Sequence, residues 1–139
     1  MKKKIIGIVG PTASGKTALS LPLAQKLQGD ILCMDSMQVY THMDIGTAKP
    51  TREEQSAAPH HLLDIVSPLD SFTVSQYAAL AKPLMDTLPC PILVGGTGLY
   101  LQAVSQSMAF GQVGSDEAIR EKYHHLAEAE GNRAVHRIL

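Results

Sequence analysis

Residues 5–17 of this 139-residue chain read IIGIVGPTASGKT, and this stretch decides the fold. An apolar run of strand character leads directly into a loop that fits the phosphate-binding pattern G-x-x-x-x-G-K-[ST] at every fixed position. The glycines allow the backbone to curl so that several N–H groups converge on one phosphate, and the following helix adds the positive end of its dipole. The stretch therefore predicts a strand, a loop and a helix that together bind a polyphosphate or pyrophosphate.

The loop carries both a cation and a candidate metal ligand. Lys16 places a positive charge at the outer phosphates, and the Thr17 hydroxyl is placed to bind Mg²⁺, which we expect as the cofactor. The alternative, a glycine-rich turn that binds nothing, leaves the match at every fixed position to chance. The predicted diphosphate- or nucleotide-binding residues are Gly10, Pro11, Thr12, Ala13, Ser14, Gly15, Lys16 and Thr17.

Composition limits the classes of function that the chain can have. A net charge of −1 gives no general attraction to polyanions, so any nucleic-acid contact must be local. The 45% hydrophobic content indicates a globular protein, and no apolar run approaches the roughly 20 residues of a membrane span. The two cysteines, Cys33 and Cys90, do not have a metal-binding spacing. The same holds for the two histidine pairs, His60-His61 and His124-His125. We expect a cytoplasmic protein with reduced thiols, no signal peptide and no membrane partner.

Strand-like and helix-like segments alternate along the chain, which predicts a P-loop NTPase-like α/β fold with a parallel sheet flanked by helices. Leucines spaced four apart from Leu19 to Leu27 predict the apolar face of the first helix, and Gly29 predicts its end. Thr73 with Gln76 predicts a capping box, and Pro83 a kink in the helix that follows. The predicted strands are 4–9, 31–34, 61–66 and 91–94, and the predicted helices are 16–28, 74–88 and 99–107.

The last part of the chain differs from the rest in its higher charge. Residues 109–116 are interpreted as a linker, and Ser115 or Asp116 is expected to cap a helix after it. We therefore expect a core domain at 1–110 that holds the P-loop sheet, followed by a helical segment at 111–139.

Two further candidate residues directly follow predicted strands. Asp35 is expected at the carboxyl edge of the sheet, where the phosphate loop also opens. There it can accept a proton from a nucleophile or coordinate a metal through water, or it can cap the next turn. Thr97 lies between glycines after the strand 91–94, where its hydroxyl can contact a substrate or serve as a helix N-cap.

Five segments of the chain match one known family in order and in spacing. They are 10–17 (GPTASGKT), 35–40 (DSMQVY), 43–50 (MDIGTAKP), 59–65 (PHHLLDI) and 92–100 (ILVGGTGLY). In these segments the chain resembles the tRNA dimethylallyltransferases, also called isopentenyl transferases. The resemblance implies transfer of a dimethylallyl group from dimethylallyl diphosphate to N6 of adenine 37 in tRNAs that read codons beginning with U.

The resemblance also implies roles for individual residues. The phosphate loop would hold the diphosphate leaving group, Asp35 matches the general base, and Thr97 matches a second contact to the reacting adenine. The target base would have to flip out of the anticodon loop to reach them. The residues implied to contact the tRNA are Asp35, Ser36, Met37, Gln38, Thr97 and Arg120.

The chain departs from this family in its length, since family members are much longer. The resemblance implies an N-terminal part of such an enzyme, with an incomplete P-loop core at 1–110 and the start of a helical tRNA-binding insertion at 111–139. The full-length family form is expected to be a monomer. Alternatives remain open, and the two nearest are an isopentenyltransferase that acts on free adenine nucleotides and a phosphate-binding fragment without turnover. The segment 43–50 argues against the first of these. A small-molecule P-loop kinase, a more distant alternative, would phosphorylate a nucleotide or turn over ATP.

Overall fold

In the computed structural model, residues 4–106 and 116–139 are described. The strands of the described part form one four-stranded parallel sheet, in the order β1-β4-β2-β3. This confirms the predicted fold class. The strands are β1 (Ile6–Val9), β2 (Asp30–Met34), β3 (His60–His61) and β4 (Pro91–Gly95). The helices are α1 (Lys16–Leu27), α2 (Arg52–Ala57), α3 (Val74–Thr87), α4 (Gly98–Ser105), α5 (Glu117–Glu130) and α6 (Asn132–Ile138).

The strand register places three loops at one edge of the sheet. Val9 pairs with Gly95, and Gly95 pairs with Met34 on its other side. The strands are parallel, so the segments that follow β1, β2 and β4 all leave from this carboxyl edge. A Cβ atom added at Gly95 would lie 2.0 Å from the Met34 carbonyl oxygen, so a glycine is required where β4 ends beside β2.

The sheet is covered by apolar packing on both of its faces, which is why β2 and β4 are almost entirely buried. Ile31 and Ile92 pack with Ala24 of α1 on one face. Leu32 and Leu93 pack on the other face with Tyr77 of α3 and with α4. This alternation follows from the two-residue period of a strand.

The predicted apolar face of α1 is only partly correct. Leu19 is 58% exposed and Leu27 42% exposed, whereas Ser20 and Ala24 are buried. The phosphate loop sets how the helix leaves the sheet, and small side chains allow the close approach that this geometry requires. Leucine spacing therefore indicated a helix but not the face that it buries.

Two other local predictions need correction. Gln28, not Gly29, adopts the left-handed conformation that ends α1, with φ of 52°. Gly29 is needed for space instead, because a Cβ there would lie 2.7 Å from the Cys90 carbonyl oxygen. The predicted strand at 61–66 is reduced to His60–His61, with a single bridge between Tyr40 and Val66 further along.

Both predicted helix caps are confirmed. The Thr73 hydroxyl accepts a hydrogen bond from the Gln76 amide at 3.2 Å, and the Gln76 side chain accepts one from the Thr73 amide at 2.8 Å. Asp116 accepts a hydrogen bond from the Ile119 amide at 3.1 Å and caps α5. Pro83 lies inside α3, and the kink there stays a prediction.

The described residues form two compact units, one before residue 107 and one from residue 116 onward. In the second unit, α5 and α6 pack against each other. The predicted linker at 109–116 and the predicted domain boundary at 110–111 lie outside the described residues, apart from Asp116. None of the helices in the described ranges combines the length and the apolar character that a bilayer crossing needs.

Candidate functional site

The phosphate loop, residues 10–15, joins β1 to α1 in a strongly curled conformation. Ala13 and Gly15 have left-handed backbones, with φ of 63° and 84°. The Lys16 ammonium folds back over the loop and donates a hydrogen bond to the Pro11 carbonyl oxygen at 2.5 Å. Thr17 is the second residue of α1, so its hydroxyl and the helix N-terminus face the same region.

A cavity of about 440 Å³ opens beside this loop. Residues 12–18 line one part of its wall, and Asp35, Gln38, Thr47, Ala48 and Glu54 line another. The cavity therefore brings the phosphate loop together with the first candidate catalytic residue, which lies on a different loop of the same sheet edge.

Asp35 both lines the cavity and caps a turn. Its Oδ1 atom accepts hydrogen bonds from the amides of Met37 at 2.8 Å and Gln38 at 3.2 Å. The two roles that the sequence offered for Asp35 are thus compatible, because one oxygen can hold the turn while the other serves the cavity.

Thr97 is joined to the Asp35 loop by its hydroxyl group. Its Oγ1 accepts a hydrogen bond from the Ser36 amide at 3.0 Å and lies 3.5 Å from the Ser36 hydroxyl. Thr97 occupies the N-cap position of α4, but its side chain makes no capping hydrogen bond there. The structure therefore brings Asp35 and Thr97 into one cluster, although Thr97 is not among the residues that line the cavity.

The Gln38 side chain is held by hydrogen bonds at both ends of its amide. Its Nε2 donates to the carbonyl oxygens of Thr47 at 2.9 Å and Ala48 at 3.1 Å. Its Oε1 accepts from the Cys33 thiol at 3.3 Å. Burial raises the pKa of Cys33 to about 12, so this thiol keeps its proton and remains a donor.

Lys49 is the residue near this site that sequence reasoning missed. Its side chain is only 3% exposed, and its ammonium donates to the Tyr40 carbonyl oxygen at 2.7 Å, to Asp44 at 2.8 Å and to Asp64. Burial by itself lowers the pKa of Lys49, but the hydrogen bonds to the two carboxylates outweigh it and leave the pKa raised. The only signal for Lys49 in the sequence is its place in the segment 43–50, which resembles the family.

The remaining predicted contact residues are Ser36, Met37 and Arg120. Ser36 is half-buried and contacts the Thr97 hydroxyl, and Met37 is 51% exposed. Arg120 lies on α5 in the second unit. Neither His60 nor His61 lines the cavity, and His61 hydrogen-bonds Asp30 at 2.7 Å.

The cavity offers oxygen ligands of the kind that Mg²⁺ prefers. Thr17 contributes a hydroxyl group, and Asp35 and Glu54 contribute carboxylates. No group of three or more His, Cys, Asp or Glu side chains in the described ranges is gathered to hold a metal. This donor set fits an ion such as Mg²⁺, which commonly completes its coordination with waters and substrate phosphate oxygens.

Comparison with known proteins decides the family. A family model described as IPP transferase matches residues 38–139, and one described as isopentenyl transferase matches residues 3–70. The chain belongs to the IPP transferase family. The resemblance noted from five short segments is thereby confirmed over almost the whole chain.

Curated members of the family are similar to this chain in sequence. The tRNA dimethylallyltransferases of Alkaliphilus metalliredigens and Halalkalibacterium halodurans are 47% and 46% identical over 100% and 98% of this chain. The chain spans about half the length of these relatives, 46% and 45% respectively.

Solved structures from the family have the same fold. The tRNA isopentenylpyrophosphate transferase of Bacillus halodurans superposes with a TM-score of 0.77 at 46% identity, covering 98% of this chain and 46% of its own. A eukaryotic dimethylallyltransferase described as acting on tRNA superposes with a TM-score of 0.75 at 28% identity, covering 96% of this chain and 37% of its own.

Proposed function

We propose that this chain forms the donor-binding and base-activating part of an enzyme that transfers a dimethylallyl group from dimethylallyl diphosphate to tRNA. The acceptor in this proposal is N6 of adenine 37, in tRNAs that read codons beginning with U. The observation that carries the proposal is the single cavity that the phosphate loop shares with Asp35. The names of the relatives supply the reaction class.

The phosphate loop acts on the leaving group. As the allylic C–O bond breaks, negative charge grows on the diphosphate, and the loop N–H groups with the Lys16 ammonium stabilise it. A bound Mg²⁺, held by Thr17 and the diphosphate oxygens, would add further charge stabilisation. Lys16 must first exchange its hydrogen bond to Pro11 for the phosphate.

Asp35 acts on the nucleophile. A C–N bond forms between N6 of adenine and the allylic carbon while the amine loses one proton, and the Asp35 carboxylate accepts that proton. Thr97 orients this step through Ser36, because its hydroxyl holds the backbone directly after Asp35. In the same proposal Arg120 contacts the tRNA, and the α5–α6 unit is the start of a tRNA-binding insertion.

The test is label transfer from radiolabelled dimethylallyl diphosphate to an anticodon stem-loop that contains adenine 37. Two proteins are compared: the 139-residue chain, and a chimera in which residues 1–139 replace the matching part of the Bacillus halodurans enzyme. Transfer by the chimera to the stem-loop supports the proposal. Transfer to free AMP in preference to the stem-loop would assign the chain to nucleotide prenylation instead.

Binding separates the donor site from turnover. We expect the 139-residue chain to bind Mg²⁺-pyrophosphate, with the affinity greatly reduced by Lys16→Ala and unchanged by Lys82→Ala on the exposed face of α3. A folded chimera that binds pyrophosphate but prenylates neither acceptor would refute the proposed reaction while leaving the phosphate site intact.

A further inference from the structure

Residues 40–49 form a segment that contributes to the wall of the cavity, and a buried charge holds this segment in place. Thr47 and Ala48 line the cavity, whereas the next residue, Lys49, is buried and is not among its lining residues. Its ammonium joins three acceptors, the Tyr40 carbonyl and the carboxylates of Asp44 and Asp64. One lysine therefore connects the start of this segment, its middle and a separate segment of the chain.

The backbone in these segments is strained, and the strain is concentrated around the lysine. His42 and Ala48 have φ of 63° and 50°, and Leu62 and Asp64 have φ of 62° and 54°. Left-handed conformations are unfavourable for residues other than glycine, so surrounding contacts must hold them. The hydrogen bonds of Lys49 join the two strained segments directly.

Gln38 connects the segment held by Lys49 to the candidate base, Asp35, through hydrogen bonds. Its side chain donates to the carbonyl oxygens of Thr47 and Ala48, and its own carbonyl oxygen accepts from the Asp64 amide at 3.3 Å. Its backbone amide donates to Asp35 Oδ1. Gln38 therefore contacts both segments that Lys49 joins, and it also contacts the Asp35 carboxylate.

We infer that Lys49 is a positioning residue of the transfer site, locking the Tyr40–Lys49 segment so that Gln38 holds the Asp35 carboxylate against the phosphate loop. This inference rests on the proposed function for its catalytic consequence. Its structural consequence, the ordering of the segment 40–49, is independent of the proposed function.

The variant Lys49→Met tests this role with little risk of unfolding. Methionine keeps the unbranched apolar stem, and the two carboxylates that lose their partner are 65% and 41% exposed, so water can solvate them. Lys49→Arg retains the charge and the donors, and Lys82→Met is the matched control on an exposed helix face.

In the chimera we expect Lys49→Met to lower kcat by about 10²-fold with little change in the KM for dimethylallyl diphosphate, because the base is displaced while the phosphate loop is intact. Lys49→Arg should recover most of the lost rate, and Lys82→Met should match the wild-type chimera. An unchanged kcat would overturn the inference, as would equal losses in kcat and in pyrophosphate affinity.

Amide hydrogen exchange of the 139-residue chain tests the structural part without any activity. In Lys49→Met the amides of Gln38 and Ala48 should exchange about tenfold faster or more, while those of Leu32 and Leu93 in the sheet keep their rates. Uniform acceleration, or none at Gln38, would refute the positioning role. If the wild-type chimera transfers nothing, the proposed function fails and this exchange pattern still decides the inference.

Discussion

Replacing Asp35 by asparagine or by alanine separates its chemical role from its role in the turn. Asparagine keeps an Oδ1 acceptor for the amides of Met37 and Gln38, so the turn is retained, but it cannot accept a proton. Alanine removes both functions. The two hydrogen bonds, at 2.8 and 3.2 Å, contribute about 0.5–1.5 kcal/mol each, so alanine should destabilise the chain by about 1–3 kcal/mol.

The expected result is a difference between the two variants in stability but not in catalysis. Urea unfolding of the 139-residue chain should place Asp35→Asn within about 0.5 kcal/mol of wild type and Asp35→Ala at the larger loss. Single-turnover transfer by the chimera should fall about 10²–10⁴-fold in both variants, the usual contribution of a general base.

The catalytic and the structural role of Asp35 are tested separately. If Asp35→Asn transfers the prenyl group within a few-fold of the wild-type rate, Asp35 is not the base. If the alanine variant is as stable as the asparagine variant, the two amide hydrogen bonds do not stabilise the turn. A Glu53→Gln variant, on the exposed first turn of α2, controls for the loss of a negative charge.

Three further predictions concern the same sheet edge. Thr97→Val removes the acceptor for the Ser36 amide and should slow transfer by the chimera about tenfold or more, whereas Thr97→Ser should not; equal rates would exclude this contact from catalysis. Gly95→Ala should lower stability by about 3 kcal/mol in urea unfolding, because the strands must separate, and an unchanged midpoint would contradict the packing. The hydrogen bond from Lys49 lowers the pKa of Asp44. The free energy of unfolding of the wild type should therefore exceed that of Lys49→Met at neutral pH, and this difference should decrease as the pH falls below about 4. Unfolding at several pH values checks this sign, and a difference that grows in acid would refute it.

The sequence identified those parts of the site whose contacts are local. The phosphate loop was predicted because its curl and its lysine depend on eight consecutive residues. The capping box of Thr73 and Gln76 was predicted because its hydrogen bonds span three positions. The apolar runs 31–34 and 91–94 indicated buried parallel strands, and the placement of Asp35 at the sheet edge followed from one of them.

Only the tertiary structure decided which distant residues meet. Thr97 and Ser36 are 61 positions apart, and they touch because β4 lies between β1 and β2 in the sheet. Lys49 meets Asp64 for a related reason, since Tyr40 and Val66 bridge side by side.

No period or short motif encodes such contacts, because each depends on strand order and on chain segments that approach from separate elements. The buried face of α1 was likewise set by the geometry of the loop before it and not by its leucines. The amino-acid sequence thus determined the fold class, and it singled out the curled loop after β1 and the candidate base. The tertiary structure determined what holds that base in place, because positioning is a property of contacts between residues remote in sequence.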